Sequence, residues 1–383
     1  MRIAIDLTAL NARASGIDRY LLGMVRSLAL LDCDAEFFLF INVEDRSRFV
    51  GSHRLPAHCH VWPCCFRPRV VRLFFQQILQ PLLLYALRID VLHSPTFIMP
   101  AWRGRARHIL TIHDMSSFVL PHCHPPIRRG PLYESIVSGS IRRAALVSVP
   151  SSSVKADILR FVDGVSEGRI RVIPCGIDDA FRARGPVGTA RVLKRLGIPT
   201  PYVLYLGTLD PRKNLPTLLE AFGELVADGR PEQLVLGGGA GWSQGELASS
   251  IADSGLASRV HLPGYIAEAD LPFVYAGAAL FVYPSLLEGF GFPPLEAMAS
   301  GVPVIASDTS SLRENLADAA ILVPPNDSKK LAAAMRTLLS DEVARVQTIA
   351  AGLKRAQAFR WENFAIATFA CYEECRTARR VST

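Results

Sequence analysis

The sequence predicts an α/β protein of two doubly wound domains, each a parallel sheet with helices on its faces. Three observations carry that expectation. The chain has 383 residues, too many for one small core. Half of its residues are hydrophobic and a fifth are charged, the balance of a globular chain. Short apolar runs also alternate with helical patterns from end to end, which is the rhythm of β-α-β units.

The first run, "RIAID", ends on Asp6, and no long apolar region follows of the kind a signal peptide needs. "RYLLGMVRSLALL" has helical spacing, and "EFFLFI", "DVLHS", "HILTIHD" and "LVSVPS" read as the further strands of the first half. The most apolar later stretch, Leu73 to Ile89, carries three glutamines and Pro81 and is slightly short for a membrane span. It predicts an amphipathic helix. In "DDAFRARGPVGTARVLKRLGIPT", Gly, Pro and Arg replace the apolar pattern, so the join between domains is expected at about 180–198. "YVLYLG", "QLVLGG", "VHLPG", "LFVYPS" and "VPVIAS" are the strands expected beyond it. The expected boundaries are 1–180, 198–358, and a C-terminal helix within 359–383 that crosses back to the first domain.

Eight cysteines without an export signal indicate reduced thiols and a cytoplasmic protein. "HCHVWPCC" (His58 to Cys65) lacks the paired Cys-x-x-Cys spacing of a structural zinc site and is expected to be a loop with solvated histidines. Cys371 and Cys375 share a helix face and read as packing residues. No metal site is predicted. Residues 1–180 hold 22 Lys and Arg against 15 Asp and Glu, a net of +7, while the remainder holds 20 of each. A basic half implies an acidic partner: a phosphorylated ligand or an anionic lipid surface. No nucleic-acid-binding motif accompanies the charge, so nucleic acid is not expected.

The segment "SLLEGFGFPPLEAMASG" (Ser285 to Gly301) bears the most chemistry. It follows the strand "ALFVYPS". It continues into a helix whose first turn holds prolines, where a missing N–H costs nothing. The glycines of the intervening loop allow the backbone to approach a ligand, and the helix start favours an anion such as phosphate. A carboxylate aimed at phosphate would be repelled, so Glu288 and Glu296 should face neutral hydroxyls on either side. The plainer alternative is a dipole-stabilised helix glutamate with an unrelated loop acid. "YVLYLGTLDPRKNL" puts Arg212 and Lys213 after another strand, on the same rim, where two cations can neutralise a diphosphate and the charge that grows as it departs.

"LEGFGFPPLEA" after a strand, with "GTLDPRKNL", "VIPCGIDDAF" and "SSLRENLADAAILVPP", resembles the retaining glycosyltransferases of family 4, in the expected order over essentially the whole chain. The resemblance implies the GT-B fold, two Rossmann-like domains facing across a cleft. It implies that Glu288 contacts the donor hexose and Glu296 the ribose. Arg212 and Lys213 would hold the pyrophosphate with the backbone of Phe290, Gly291 and Phe292, and Tyr265 and Ile266 would meet the base. On the other half it implies that Gly16 approaches the donor phosphates, that His113 stands near the reaction centre, and that Asp114 lies on the acceptor side. No cofactor or metal is implied. The Ile-His-Asp form, "DVLHSPTF" and "GGGAGW" are most similar to members using GDP-mannose, with UDP- or ADP-hexose as alternative donors. The resemblance implies a saccharide acceptor, lipid-linked and in polysaccharide biosynthesis, and the basic first half with the arginines flanking the apolar stretch suggests the inner face of a membrane as the workplace. Cys175 departs from the usual Asn without expected chemical effect.

Rival readings fit less well. A dinucleotide-dependent oxidoreductase would need G-x-G-x-x-G, and "LVLGGGAGWS" has Trp242 in the third glycine's place. "DCD" (Asp32 to Asp34) precedes a strand, unlike the metal-binding Asp-x-Asp of other transferases. A non-catalytic polysaccharide- or membrane-binding relative would have no need of leaving-group cations.

Overall fold

The computed structural model describes residues 1–10, 16–45, 48, 55–64, 69–102, 104–239 and 244–377. Two compact units result. The first is Met1–Val119, Pro126–Gly176 and Arg360–Thr383, and the second is Leu120–Pro125 with Ile177–Phe359.

The first unit is built on β1 (Arg2–Asp6), β2 (Glu36–Asn42), β3 (Cys59–Cys64), β4 (Val91–Ser94), β5 (Arg107–Thr111), β6 (Leu146–Val149) and β7 (Ile170–Val172). They form one sheet in the order β3-β2-β1-β4-β5-β6-β7, every pair parallel. The helix Trp361–Thr377 belongs to this unit and packs on the helix Gly16–Ala29. Its Phe364 meets Tyr20 edge-on at 5.5 Å, and the Tyr372 hydroxyl lies 2.8 Å from His93 Nδ1.

The second unit holds β8 (Tyr202–Leu206), β9 (Gln233–Gly237), β10 (Val260–Gly264), β11 (Leu280–Tyr283), β12 (Val304–Ser307) and β13 (Ile321–Val323). Their order is β10-β9-β8-β11-β12-β13, again all parallel. "YVLYL" is buried at every position, as a central strand covered by helices on both faces must be. In both sheets the order reverses once, between β1 and β4 and between β8 and β11. Loops leaving the carboxyl ends of those neighbours diverge and leave a crevice for ligands.

Three local expectations change. The stretch expected as a join contains the helix Pro186–Leu196, opened by a proline at its first turn and closed by Gly197 at φ 65°. Thr189, Val192 and Leu193 form its buried face at helical spacing, a pattern hidden among arginines. The second unit takes in this helix and runs from Ile177. "CHVWPC" (Cys59–Cys64) is a strand, not a loop. It lies at the sheet's edge, where Pro63 costs no ladder hydrogen bond. The apolar stretch from Leu73 is helical through Ala86 but contains a π turn at Phe75–Leu79. Its Gln76 and Gln80 point inward and donate to Asp6 Oδ2 at 2.8 and 3.0 Å.

Candidate active site

The second unit gathers three of the sequence-identified groups at the β8/β11 reversal. After β8 the chain makes a short 3-10 turn, Pro211–Lys213, then passes through Asn214 at φ 54° into the helix Leu215–Ala227. The two cations thus sit in a turn of their own, just ahead of the helix start expected for them. After β11 comes the loop bearing Glu288. Lys213 Nζ lies 2.5 Å from Glu288 Oε1, and Arg212 lies 3.2 Å from Glu288 Oε2. Ser285 Oγ donates to the same Oε1 at 2.5 Å. Lys213 also donates to the Tyr283 hydroxyl at 2.8 Å, and Tyr283 stacks on Tyr205 at 5.8 Å. Lys213 and Glu288 are 5% and 8% exposed.

Burial by itself would raise the Glu288 carboxyl. Arg212, then Lys213, with the hydrogen bonds from Lys213 and Ser285, outweigh it and bring the group down to about 2. Burial pulls the Lys213 ammonium down, while Glu288 holds it up. The arrangement keeps a carboxylate ionised between two cations and stores two donors that an incoming anion can claim.

The loop itself is pinned by residues whose part sequence reasoning missed. Ser310 Oγ accepts from the Glu288 amide at 2.9 Å, and Ser311 Oγ donates to the Glu288 carbonyl at 2.9 Å. Asn315 Nδ2 donates to the Phe290 carbonyl at 2.7 Å, and Thr309 Oγ1 donates to Leu286 O at 3.1 Å. Arg212 donates to the Leu287 carbonyl. "SSLRENL" was legible as a family segment, but that it fixes the neighbouring loop depends on β11 and β12 being adjacent. Gly291 sits at φ 91°, and a Cβ there would come within 2.7 Å of Leu312, so the turn into the helix Phe292–Ala299 requires glycine. Phe290 and Phe292 flank it, their rings 4.9 Å apart. Pro293 and Pro294 carry no amide hydrogen, so the first-turn donors are confined to their neighbours.

Glu296 is not joined to the cations but to another partner: its Oε2 accepts from the Tyr275 hydroxyl at 2.8 Å, and it is 1% exposed. Beyond β10, Tyr265 is exposed and Ile266 is buried against Gly237. In the first unit, Gly16 is the exposed first residue of its helix, and the loop 11–15 before it lies outside the described residues. Trp242 also lies outside them. His113 follows β5. Its Nε2 lies 2.7 Å from the Pro95 carbonyl, which can only accept, so Nε2 carries the proton and Nδ1 is left bare. Burial lowers this imidazole, against the Pro95 bond and Asp114, and it packs edge-on to Tyr20 at 4.7 Å. Asp114 Oδ1 accepts from the Ser116 amide at 2.9 Å and its hydroxyl at 2.5 Å, opening the helical turn Ser116–Val119. Among the described residues no group of three or more His, Cys, Asp or Glu is placed to hold a metal ion.

The chain as a whole is similar to known proteins. The model of "Glycosyltransferase Family 4" matches residues 14–181, and that of "Glycosyl transferases group 1" matches residues 193–355. An O-antigen chain mannosyltransferase B of Escherichia coli is 32% identical over 97% of this chain and 100% of its own length. A serotype-specific mannosyltransferase WbdA of Escherichia coli is 30% identical, over 58% of this chain and 28% of that protein. Sucrose-phosphate synthase from Thermosynechococcus elongatus superposes with a TM-score of 0.78 at 23% identity, covering 97% of this chain and 98% of that one. WaaG, a glycosyltransferase of lipopolysaccharide biosynthesis, gives 0.73 at 15% identity over 98% and 100%. Two parallel sheets with these strand orders are the GT-B fold, and with both halves matched in order and a full-length relative at this identity, the chain belongs to the family 4 glycosyltransferases.

Proposed function

We propose that this glycosyltransferase moves mannose from GDP-mannose, with retention at the anomeric carbon, to a lipid-linked saccharide in polysaccharide assembly, on the cytoplasmic face of a membrane. The observation that carries the reading is the Arg212–Lys213–Glu288 cluster at the strand-order reversal, with a helix start directly beyond it. Full-length likeness to a mannosyltransferase supports the choice of sugar.

The donor diphosphate competes with Glu288 for the two cations. Released from them, the ionised Glu288 accepts hydrogen bonds from hexose hydroxyls. As the glycosidic C–O bond breaks, charge builds on the leaving phosphate, where Arg212, Lys213 and the amides around Gly291 meet it. Each such donor is worth roughly 3 kcal/mol in the transition state. The acceptor oxygen attacks the same face, and its proton passes to the departing phosphate oxygen. His113 offers its bare Nδ1 to a hexose hydroxyl. Glu296 takes the ribose, Tyr265 and Ile266 the base, Gly16 the phosphates, and Asp114 stands on the acceptor side. The two cations take the part a divalent ion has elsewhere, so turnover needs no metal.

The test is release of nucleoside diphosphate by purified protein from a panel of GDP-mannose, UDP-glucose, UDP-galactose and ADP-glucose, with and without a chelator. Preference for GDP-mannose, unaffected by the chelator, is expected. Preference for a UDP or ADP sugar overturns the donor assignment, and loss of turnover with chelator overturns metal independence.

A further inference from the structure

The helical stretch after Arg69 is partly turned inside out. Gln76 and Gln80 are buried and both donate to the buried carboxylate of Asp6. The outer face instead carries Val71, Phe74, Ile78, Leu82 and Tyr85, each between 41 and 71% exposed. These lie three or four residues apart, so they form one continuous stripe along the helix. The π turn at Phe75–Leu79 adds a residue to one turn, and Leu79 joins Ile78 on the outside. A water-facing helix has its glutamines out. Here Asp6 needs the amide donors, and the apolar side chains face outward in exchange.

The sequence that contains the stripe is one-sided in charge. Between Asp45 and Asp90 the sequence has seven arginines and no acidic residue. Of these, Arg72 is half-buried near the start of the helix, and Arg88 is exposed just beyond its end. An aromatic and aliphatic stripe bordered by arginine is the pattern of a helix lying in a lipid interface. A second copy of the chain meeting the stripe about a two-fold axis would bring the same positive charge against itself. An anionic surface removes that penalty.

We propose that the face formed by Val71, Phe74, Ile78, Leu82 and Tyr85 docks on an anionic phospholipid surface, the arginines meeting headgroup phosphates while the apolar side chains enter the acyl boundary. The proposal deepens the membrane part of the functional reading and rests on it for its biological purpose. Its physical basis does not depend on which sugar is transferred.

The test is flotation of the full chain with phosphatidylcholine vesicles, with and without a third of phosphatidylglycerol. The wild type is expected to float with the anionic vesicles and to sediment without them. High salt should weaken binding about tenfold, because screening removes the arginine contribution. F74E/L82E, which removes two inserting side chains and adds two charges of the membrane's sign, should weaken binding at least about thirtyfold. Val343→Glu, an exposed apolar position in the second unit, should bind like wild type. Circular dichroism and donor hydrolysis report whether F74E/L82E is folded, and neither reads membrane binding. Failure of the wild type to float, or flotation of F74E/L82E at wild-type strength, overturns the proposal. So does a wild-type dimer in lipid-free solution that F74E/L82E converts to monomer, since the face would then be covered by a second copy. Absence of donor hydrolysis from the wild type, with flotation intact, would count against the enzymatic reading alone.

Discussion

Replacing Glu288 by Gln removes the negative charge between Arg212 and Lys213 while leaving the side chain's shape and an acceptor oxygen in place. The cost follows from the acid's displacement. A carboxyl moved from 4.5 in the open chain to about 2 in the folded one contributes about 3 kcal/mol of stability at neutral pH. The sign is that of a depressed acid. The stabilisation is complete above 4.5, declines as the pH falls, and is exhausted once the folded group takes up its proton near 2. At about pH 3 less than half of it is left. Urea unfolding followed by circular dichroism, on wild type and Glu288→Gln side by side, reads the difference directly. Other carboxylates titrate in both proteins and cancel in the comparison. The variant's deficit should be about 3 kcal/mol at pH 7 and should shrink by more than half at pH 3. A deficit of equal size at both pH values would show that the cations do not hold this acid down, and the electrostatic account of the cluster would fail with it.

Lys213→Ala leaves Glu288 with Arg212 and Ser285 as partners, so the fold should persist while turnover falls at least about a hundredfold, read as nucleoside diphosphate release. Tyr372→Phe strips the buried His93 Nδ1 of its partner and should cost about 1–3 kcal/mol in a urea melt. Because burial, with His113 as a further cause, holds His93 near 3, that cost should be flat between about pH 5 and 8. Gly176→Ala would put a Cβ within 2.4 Å of the Trp361 backbone nitrogen, and thermal unfolding should show a loss of about 2 kcal/mol or more.

The regular parts of the fold were legible because a buried parallel strand and an amphipathic helix each write their period into the chain. "YVLYL" could hardly be anything but a central strand, and it is buried at all five positions. Sequence reading failed where a pattern was short or mixed with arginine, as in Pro186–Leu196. It failed also where position in the sheet overrode composition, as at Pro63 on the edge strand. For the candidate site, the residue types after β8 and β11 singled out Arg212, Lys213 and Glu288, which the fold brings together. Their mutual ion pairs were not legible, because spacing along the chain does not report which side chains of two separate loops will meet. The pinning of the Glu288 loop by Ser310, Ser311 and Asn315 was invisible for a similar reason. It arises from strand adjacency and leaves no periodic trace.

The C-terminal helix has a consequence for how the chain is made. Trp361 and Tyr372 complete the first unit, filling the space beside Gly23 and Gly176 and satisfying His93. During translation, Ile177–Phe359 leaves the ribosome before either arrives, so the later unit has its full chain in hand while the earlier one still waits. A nascent sheet with an uncovered flank must persist for the synthesis of nearly two hundred residues. A stop codon that removed only the last helix would leave that flank bare for good.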